Sequence, residues 1–313
     1  MTTRPHDNGF PIVGSERERQ TMVPLDTGIG VRSETTGPRQ DSYTRGSWDN
    51  STLIGRNDIT EELAVFRVRS DGPLFPFLAG QYGVLGLPAG SPRCDGAELD
   101  DSPGSDPEKL VRRAYSIASP SKMNEYVEFY VTLVRSGALT PRLWCLREGD
   151  RLWLGPKAKG HFTMDEVPMD KNVVLVGTGT GLAPYIAMIR EHHRCNQGRR
   201  FIVVHGARYE RDLGYRDELE TLTRSCSTLK YVPTVSRTSP DGGWTGHVGR
   251  VQSVFTDGTI ETALGNPLAP ESTDVFVSGN PEMVEDLQRL LMEQRFTLHA
   301  PARPGTLHIE RYW

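Results

Sequence analysis

The sequence predicts a two-domain fold: an antiparallel β-barrel followed by an α/β domain built on a parallel sheet. Three observations predict it. The chain has 313 residues, enough for two cores of ordinary size. Between about 52 and 165 the signals are short and β-like, separated by Gly, Pro and Asp turns. After EVPMDK (166–171) the pattern changes to continuous apolar runs alternating with segments of helical period.

Residues 1–51, as in SETTGPRQDSYTRGSWDN, are rich in Arg, Ser, Thr, Gly, Asp and Pro, and show no sustained period; a flexible or loosely packed extension is expected. Its scattered acids, Asp7, Glu16, Glu18 and Asp26, speak against an organelle transit peptide. The barrel region, 52–165, offers LAVFRVRS, QYGVLGL, RRAYSIAS, YVEFYVTLV and RLWLG as strands. In YVEFYVTLV, Val127, Phe129, Val131 and Leu133 fall on one side, and Tyr126, Glu128, Tyr130 and Thr132 on the other. The acidic, turn-rich stretch 89–109 reads as a surface loop inserted between strands. In 166–313, NVVLV, FIVVH, LKYVPTV and DVFVS are the parallel strands. EMVEDLQRLLMEQR places Met283, Val284, Leu287, Leu290 and Leu291 on one helical face.

The formal net charge of -4 gives no overall polycation, so no nucleic-acid partner is expected. No apolar run approaches the roughly 20 residues that cross a bilayer, and the N-terminus lacks a signal-peptide core. No membrane partner and a cytoplasmic location follow as expectations. Cys94, Cys145, Cys195 and Cys226 are widely spaced, with no C-x-x-C pair, so neither an iron-sulfur centre nor a disulfide is expected, and no metal site.

VVLVGTGTGLAP (173–184) ends a buried strand near Val176, turns through Gly177, Gly179 and Gly181, and enters a helix with Pro184 in its first turn. Leu182, Ile186 and Ile189 form an inward stripe. Glycines let backbone approach a pyrophosphate, and free N–H groups at a helix start attract its charge. A tight strand-to-helix turn that binds nothing is the alternative. The spacing is G-x-G-x-G, one residue short of the dinucleotide fingerprint, and the next strand ends in Arg208 where an acid would hold a free ribose hydroxyl. Arg237, in VSR, and Arg250, in WTGHVGR, add two more guanidinium groups. Forks of this kind suit a 2′-phosphate, so NADP(H) is favoured over NAD(H).

In the barrel half, RAYSIAS (113–119) puts Arg113 and Tyr115 on one strand face and starts the other with Ser116. A flavin needs such a cation, ring and hydroxyl. A strand with an exposed Arg and a packed Tyr is the plainer reading of this run alone.

Taken together, these motifs resemble the bacterial-type ferredoxin-NADP(H) reductases, the ferredoxin/flavodoxin reductase family. RAYS, AGQY (79–82), SGALTPRL (136–143), GTGTGLAP, HGAR, VSR and SGNPEMV (278–284) occur in family order, and the chain ends in Tyr312 and Trp313. The resemblance implies an FAD barrel, an NADP(H) domain, and electron transfer between NADPH and a one-electron carrier, ferredoxin or flavodoxin. Arg113 would neutralise the FAD pyrophosphate, Tyr115 stack on the isoalloxazine, and Ser116 bond near N5. Gly137, Leu139 and Thr140 would hold FAD phosphates. Tyr130 would be a further FAD contact. Thr178, Gly179, Thr180 and Gly181 would carry NADPH, with Arg208, Arg237 and Arg250 on its 2′-phosphate, and Gly279, Asn280 and Pro281 beside the nicotinamide. Tyr115, Ser116, Ser278 and Trp313 form the implied catalytic set, Trp313 lying against FAD.

Two features depart from the family: Ser278 stands where many relatives carry Cys, and GHVGR is longer than the usual turn. A small acidic partner calls for a local basic patch, for which Arg112, Arg142, Arg147, Lys157 and Lys159 are candidates on a monomer. An oxygenase reductase component, a free-flavin or ferric reductase, and a non-catalytic flavin- or nucleotide-binding sensor remain alternatives.

Overall fold

A computed structural model describes residues 48–98, 106–195, 198–238 and 243–312. Most of the N-terminal extension, residues 99–105 of the acidic loop, and Trp313 lie outside them.

The barrel half contains β1 (Ser51–Thr60), β2 (Leu63–Ser70), β3 (Tyr82–Pro88), β4 (Leu110–Ser116), β5 (Val127–Thr132), the one-turn helix α1 (Thr140–Leu143) and β6 (Arg151–Leu154). The strands form one antiparallel sheet in the order β4-β3-β6-β1-β2-β5. Its ends meet where Ile117 bridges Phe129 and the Ala118 amide donates to the Glu128 carbonyl at 2.7 Å, which closes the barrel. Leu53, Phe66, Leu85, Phe129 and Leu152 fill its interior.

Strand β1 is absent from the sequence reading. Gly55, Asn57 and Asp58 hide it, yet Leu53 is fully buried and the backbone pairs with β2 on one side and β6 on the other. Neighbouring strands and core burial override weak local preference. The fold also begins before residue 52: Asn50 exchanges two side-chain hydrogen bonds of 2.8 Å with the Leu154 backbone, as a strand partner would.

The second half contains β7 (Asn172–Thr178), α2 (Ala183–His192), β8 (Phe201–Ala207), α3 (Arg216–Ser225), β9 (Leu229–Val235), β10 (His247–Val248), α4 (Thr259–Leu264), β11 (Thr273–Gly279), α5 (Pro281–Glu293) and β12 (Leu307–Arg311). All six strands are parallel, in the order β10-β9-β8-β7-β11-β12. Alternate residues of β7 enter different cores: Val173 and Leu175 pack with α2, Val174 and Val176 with the α5 side. Burial on both faces explains the unbroken apolar run.

The barrel is not isolated from this layer. On β2, Ala64, Phe66 and Val68 point into the barrel, while Leu63 and Val65 join the core beneath α2. Both faces of β5 are likewise buried.

The expectation of no disulfide is corrected. Cys195, just after α2, and Cys226, just after α3, are bonded, with Cα atoms 5.2 Å apart. They precede β8 and β9, which are neighbours in the sheet, so topology joins two residues that sequence spacing leaves unrelated.

Candidate functional site

On the barrel side, β4 pairs with β3 so that Ser116 lies opposite Tyr82 and Tyr115 opposite Gly83. Arg113 is exposed, with one guanidinium nitrogen donating to the Arg112 carbonyl at 2.9 Å. Tyr115 is half-buried with its ring edge-on to Phe129, centroids 6.4 Å apart. Burial raises its phenol above the ordinary range, so the ring remains neutral.

The 136–143 turn is shaped by its own groups. The Gly137 amide donates to the Val134 carbonyl at 2.8 Å, and buried Leu139 anchors the turn from below. Thr140 Oγ1 donates to the Val134 carbonyl and accepts from the Val134 amide, both at 3.0 Å. These two bonds fix the shape of the turn that Thr140 closes. Pro141 opens α1 at a position where a missing N–H costs nothing.

The loop expected at 89–109 is a loop in its described part, but it is strapped to this turn. Arg93 donates to the carbonyls of Gly137 (3.2 Å), Arg135 (3.3 Å) and Glu98 (2.8 Å), and the Cys94 amide to Pro141 (3.0 Å). Arg142 is buried, donating to the carbonyls of Ala89 and Ala138. It is therefore withdrawn from the basic patch. Arg112, Arg147, Lys157 and Lys159 are exposed.

On the nucleotide side, β7 runs through Thr178, and a 3₁₀ turn, Gly179–Leu182, leads into α2. Gly181 is required by close approach: a Cβ there would lie 2.4 Å from the Ser278 carbonyl oxygen at the end of β11. Gly279 has φ +134°, and its Cβ would meet Thr178 Oγ1 at 2.4 Å. The two strand ends thus lock together, with the Asn280 amide donating to Thr178 Oγ1 at 3.3 Å. Asn280 Oδ1 accepts from the Met283 amide at 3.3 Å, capping α5, and Pro281 follows at its first turn.

A cleft of about 950 Å³ opens over these ends. Thr178, Gly179, Thr180, Gly279 and Asn280 line it, with Arg208 and Arg250 at one side and the barrel hairpin Ile59–Leu63 at the other. The Arg237 amide donates to the Arg208 carbonyl at 2.9 Å, and the Gly249 amide to the Val235 carbonyl at 2.8 Å. Arg208, Arg237 and Arg250 therefore stand at neighbouring strand ends, although Arg237 does not itself line the cleft. Arg250 lies 3.9 Å from Glu282, both largely exposed.

The two halves also meet beside the cleft. Ser116 Oγ lies 2.6 Å from the Tyr312 phenol and donates to Glu310 Oε2 at 3.3 Å, while the Tyr312 hydroxyl donates to the same oxygen at 3.2 Å. Ser278 is fully buried beside them, its hydroxyl without a partner of full hydrogen-bond geometry, and burial together with the Glu310 carboxylate raises the Tyr312 phenol above its ordinary value. Burial raises the Glu310 carboxyl, against the opposing effect of its two hydrogen bonds. Tyr312 also lines the cleft. Glu310 is missing from the sequence reading and Tyr312 has no role in it; the only signal for either is the tail HIERYW.

Tyr130 is corrected. It is 2% exposed, with its ring edge-on to Tyr215 at 5.2 Å, so it offers no face to a flavin. The nucleotide domain covers the face of β5 that carries Tyr130. Among the described residues no group of three His, Cys, Asp or Glu side chains could hold a metal ion, and no helix is long and apolar enough to cross a membrane.

Comparison with known proteins agrees with this geometry. Residues 175–289 match the oxidoreductase NAD-binding domain. A flavodoxin/ferredoxin–NADP reductase of Escherichia coli is 34% identical over 252 residues, covering 80% of this chain and 93% of the relative. A ferredoxin–NADP reductase B of Sorangium cellulosum is 35% identical, covering 78% and 88%. A solved ferredoxin NADP+ reductase from Neisseria gonorrhoeae, with bound FAD and NADP, superimposes with a TM-score of 0.71 at 23% identity, covering 85% of this chain and 99% of that one.

Proposed function

The chain belongs to the flavodoxin/ferredoxin–NADP reductase family, and from that premise we propose that it moves electrons between NADPH and a one-electron ferredoxin or flavodoxin by way of FAD. FAD supplies, when bound, the capacity to take two electrons together and release them singly. The observation that carries the reading is the contact between Ser116 and Tyr312 at 2.6 Å, which joins the barrel's flavin-type motif to the tail of the nucleotide domain.

The residues present fit the two nucleotides. Tyr115 offers a neutral half-buried ring, Ser116 and Glu310 polar atoms at a mostly buried point, and the 137–140 turn a rigid backbone for phosphates. Arg113, exposed at the barrel edge, suits a pyrophosphate. On the other side, Thr178–Gly181 present backbone at the start of α2, and Arg208, Arg237 and Arg250 select the 2′-phosphate. Gly279, Asn280 and Pro281 close the wall, and Ser278 fills the position beside the nicotinamide. Tyr312 stands between Ser116 and the cleft, so its ring must move aside for a nicotinamide to come within a reactive distance of about 3–3.5 Å.

Exposed Arg112, Arg147, Lys157 and Lys159 steer the acidic carrier, and the enzyme works as a monomer; the domain boundary lies near residue 166. The purified protein should be yellow and reduce a ferredoxin or flavodoxin with NADPH. Colourless protein that takes up no FAD on reconstitution removes the reading.

A further inference from the structure

One buried ionic cluster lies outside the site just described, and it crosses the seam between the halves. Glu128, on β5, has a side chain only 2% exposed. Its Oε2 accepts from Arg67 Nε at 2.9 Å; its Oε1 accepts from Arg190 Nη1 at 2.8 Å and from the Tyr215 hydroxyl at 2.9 Å. Arg67 belongs to the barrel, whereas Arg190 lies in α2 and Tyr215 precedes α3. Arg190 also grips Glu218 of α3 through two bonds of 2.8 and 2.7 Å, and donates to the Ala118 carbonyl at 3.2 Å. The next helical residue repeats the contact: Glu191 accepts from the Ser121 amide and hydroxyl, both at 2.7 Å.

Two features set this cluster apart from an ordinary surface ion pair. Tyr215 has φ 59°, a left-handed conformation that costs a residue with a Cβ. Such strain persists only where the surroundings fix it, and here it places the ring against Tyr130 and under the Arg190 guanidinium, with the hydroxyl on the barrel's carboxylate. The second feature is position. Ala118 lies two residues beyond Ser116, and Arg190 sits near the end of the helix whose start is the Gly179–Gly181 turn. One cluster therefore holds the segment after the flavin-side hydroxyl and the far end of the rod that carries the nicotinamide turn.

We propose that Glu128, Arg190 and Tyr215 are positioning residues for hydride transfer, fixing α2 and its N-terminal turn against the strand that carries Ser116. This rests on the reductase reading above. The ten-residue helix is about 15 Å long, so a shift at its clamped end reaches the turn almost undiminished. Misplacement of reacting groups by about 1 Å can cost on the order of 100-fold in rate. The surrounding residues bind neither nucleotide, so affinity and rate should separate.

The test is Glu128→Gln, which keeps the shape and removes the charge. At saturating NADPH, the stopped-flow rate of flavin reduction should fall about 10- to 100-fold, with the flavin spectrum and the Kd for 2′,5′-ADP unchanged. In the apoprotein, amide exchange over 117–121 and 189–193 should accelerate at least about tenfold relative to β8. Tyr215→Phe, which removes one bond of the cluster, should shift both readouts the same way by less and carries the test if the first variant does not fold. Wild-type reduction rates and exchange, with only a lowered Tm, would reduce the cluster to a structural brace and overturn the proposal. A wild-type protein that NADPH cannot reduce would overturn the reductase reading instead, leaving the exchange result to stand or fall by itself.

Discussion

Replacing Arg208 and Arg237 together with Ala tests which dinucleotide the cleft prefers. The two residues sit at the ends of neighbouring strands, tied by the hydrogen bond from the Arg237 amide to the Arg208 carbonyl at 2.9 Å. That bond belongs to the backbone and survives substitution of either side chain. A hydrogen bond to a charged group is worth about 1.5–3 kcal/mol. Both guanidinium groups are exposed, and solvent screening puts each at the lower limit. Two such contacts amount to about 3 kcal/mol, or roughly a 100-fold loss in kcat/KM, because each 1.36 kcal/mol is a factor of ten. The loss should appear for NADPH and be nearly absent for NADH, which has no 2′-phosphate to lose. It should appear chiefly in KM, since the phosphate is remote from the transferred hydride, and shrink as ionic strength rises. Steady-state kinetics with both nucleotides at low and high salt measure it. An equal fall for NADPH and NADH would place the 2′-phosphate elsewhere, with Arg250 and Arg211, both lining the cleft, as the next residues to replace.

Three further outcomes follow from the seam. Tyr312→Ser removes the ring that stands between Ser116 and the cleft, so the Kd for NADP+ should fall severalfold while that for 2′,5′-ADP, which has no nicotinamide, stays constant; titration of both ligands checks this. Ser278→Ala deletes a buried hydroxyl that lacks a full hydrogen-bond partner, so Tm should change little, yet flavin reduction should slow about tenfold if that hydroxyl orients the nicotinamide; an unchanged rate would confine Ser278 to packing. Glu128 and Glu310 should give opposite pH signatures in thermal unfolding. Burial opposes the charge of Glu128, but its arginine partners hold it below its ordinary value of 4.5, so its contribution is complete above that value and disappears as pH falls through the folded one. Glu310 lies above 4.5, so its contribution is complete below 4.5 and is lost as pH rises; Glu310→Gln should therefore gain Tm relative to wild type near pH 8 but not near pH 4.

The sequence carried the parallel half more openly than the barrel. Four apolar runs stand out because strands buried on both faces need Val, Ile, Leu and Phe at every position, as Val173–Val176 show. The α5 stripe is legible for the matching reason: Met283, Val284, Leu287 and Leu291 are buried at helical spacing. Strand β1 was not legible, since its own Gly, Asn and Asp signal a turn and only pairing with β2 on one side and the distant β6 on the other makes it a strand. The Cys195–Cys226 bond was hidden for the same reason: only the order of β8 and β9 makes the two residues neighbours.

Tyr130 and Thr140 show a different limit. Residue type is legible in the sequence, but which neighbour engages a ring or a hydroxyl is not. Tyr130 meets the nucleotide domain instead of a cofactor, and the Thr140 proton already serves Val134. Arg142 makes the same point for the partner surface, since a buried guanidinium that donates to two backbone carbonyls steers nothing. A hydroxyl, a ring or a guanidinium becomes functional only if folding leaves its donors unengaged and its face open, and both depend on which other segment covers it. In the proposed site, where β4, β11 and the end of β12 converge, the donors are engaged with one another, since the Ser116 and Tyr312 hydroxyls both donate to Glu310 Oε2, so a movement of Tyr312 is what would open it. Ser116, Ser278, Glu310 and Tyr312 come from two domains and nearly 200 residues of intervening chain, so no local pattern could have assembled them. What the protein contributes there is placement, and placement across a seam is only as good as the contacts that hold the seam closed. Glu128 and Arg190 join the halves at the opposite end of α2 from the Gly179–Gly181 turn, which is why the proposed positioning role falls to residues outside the cleft.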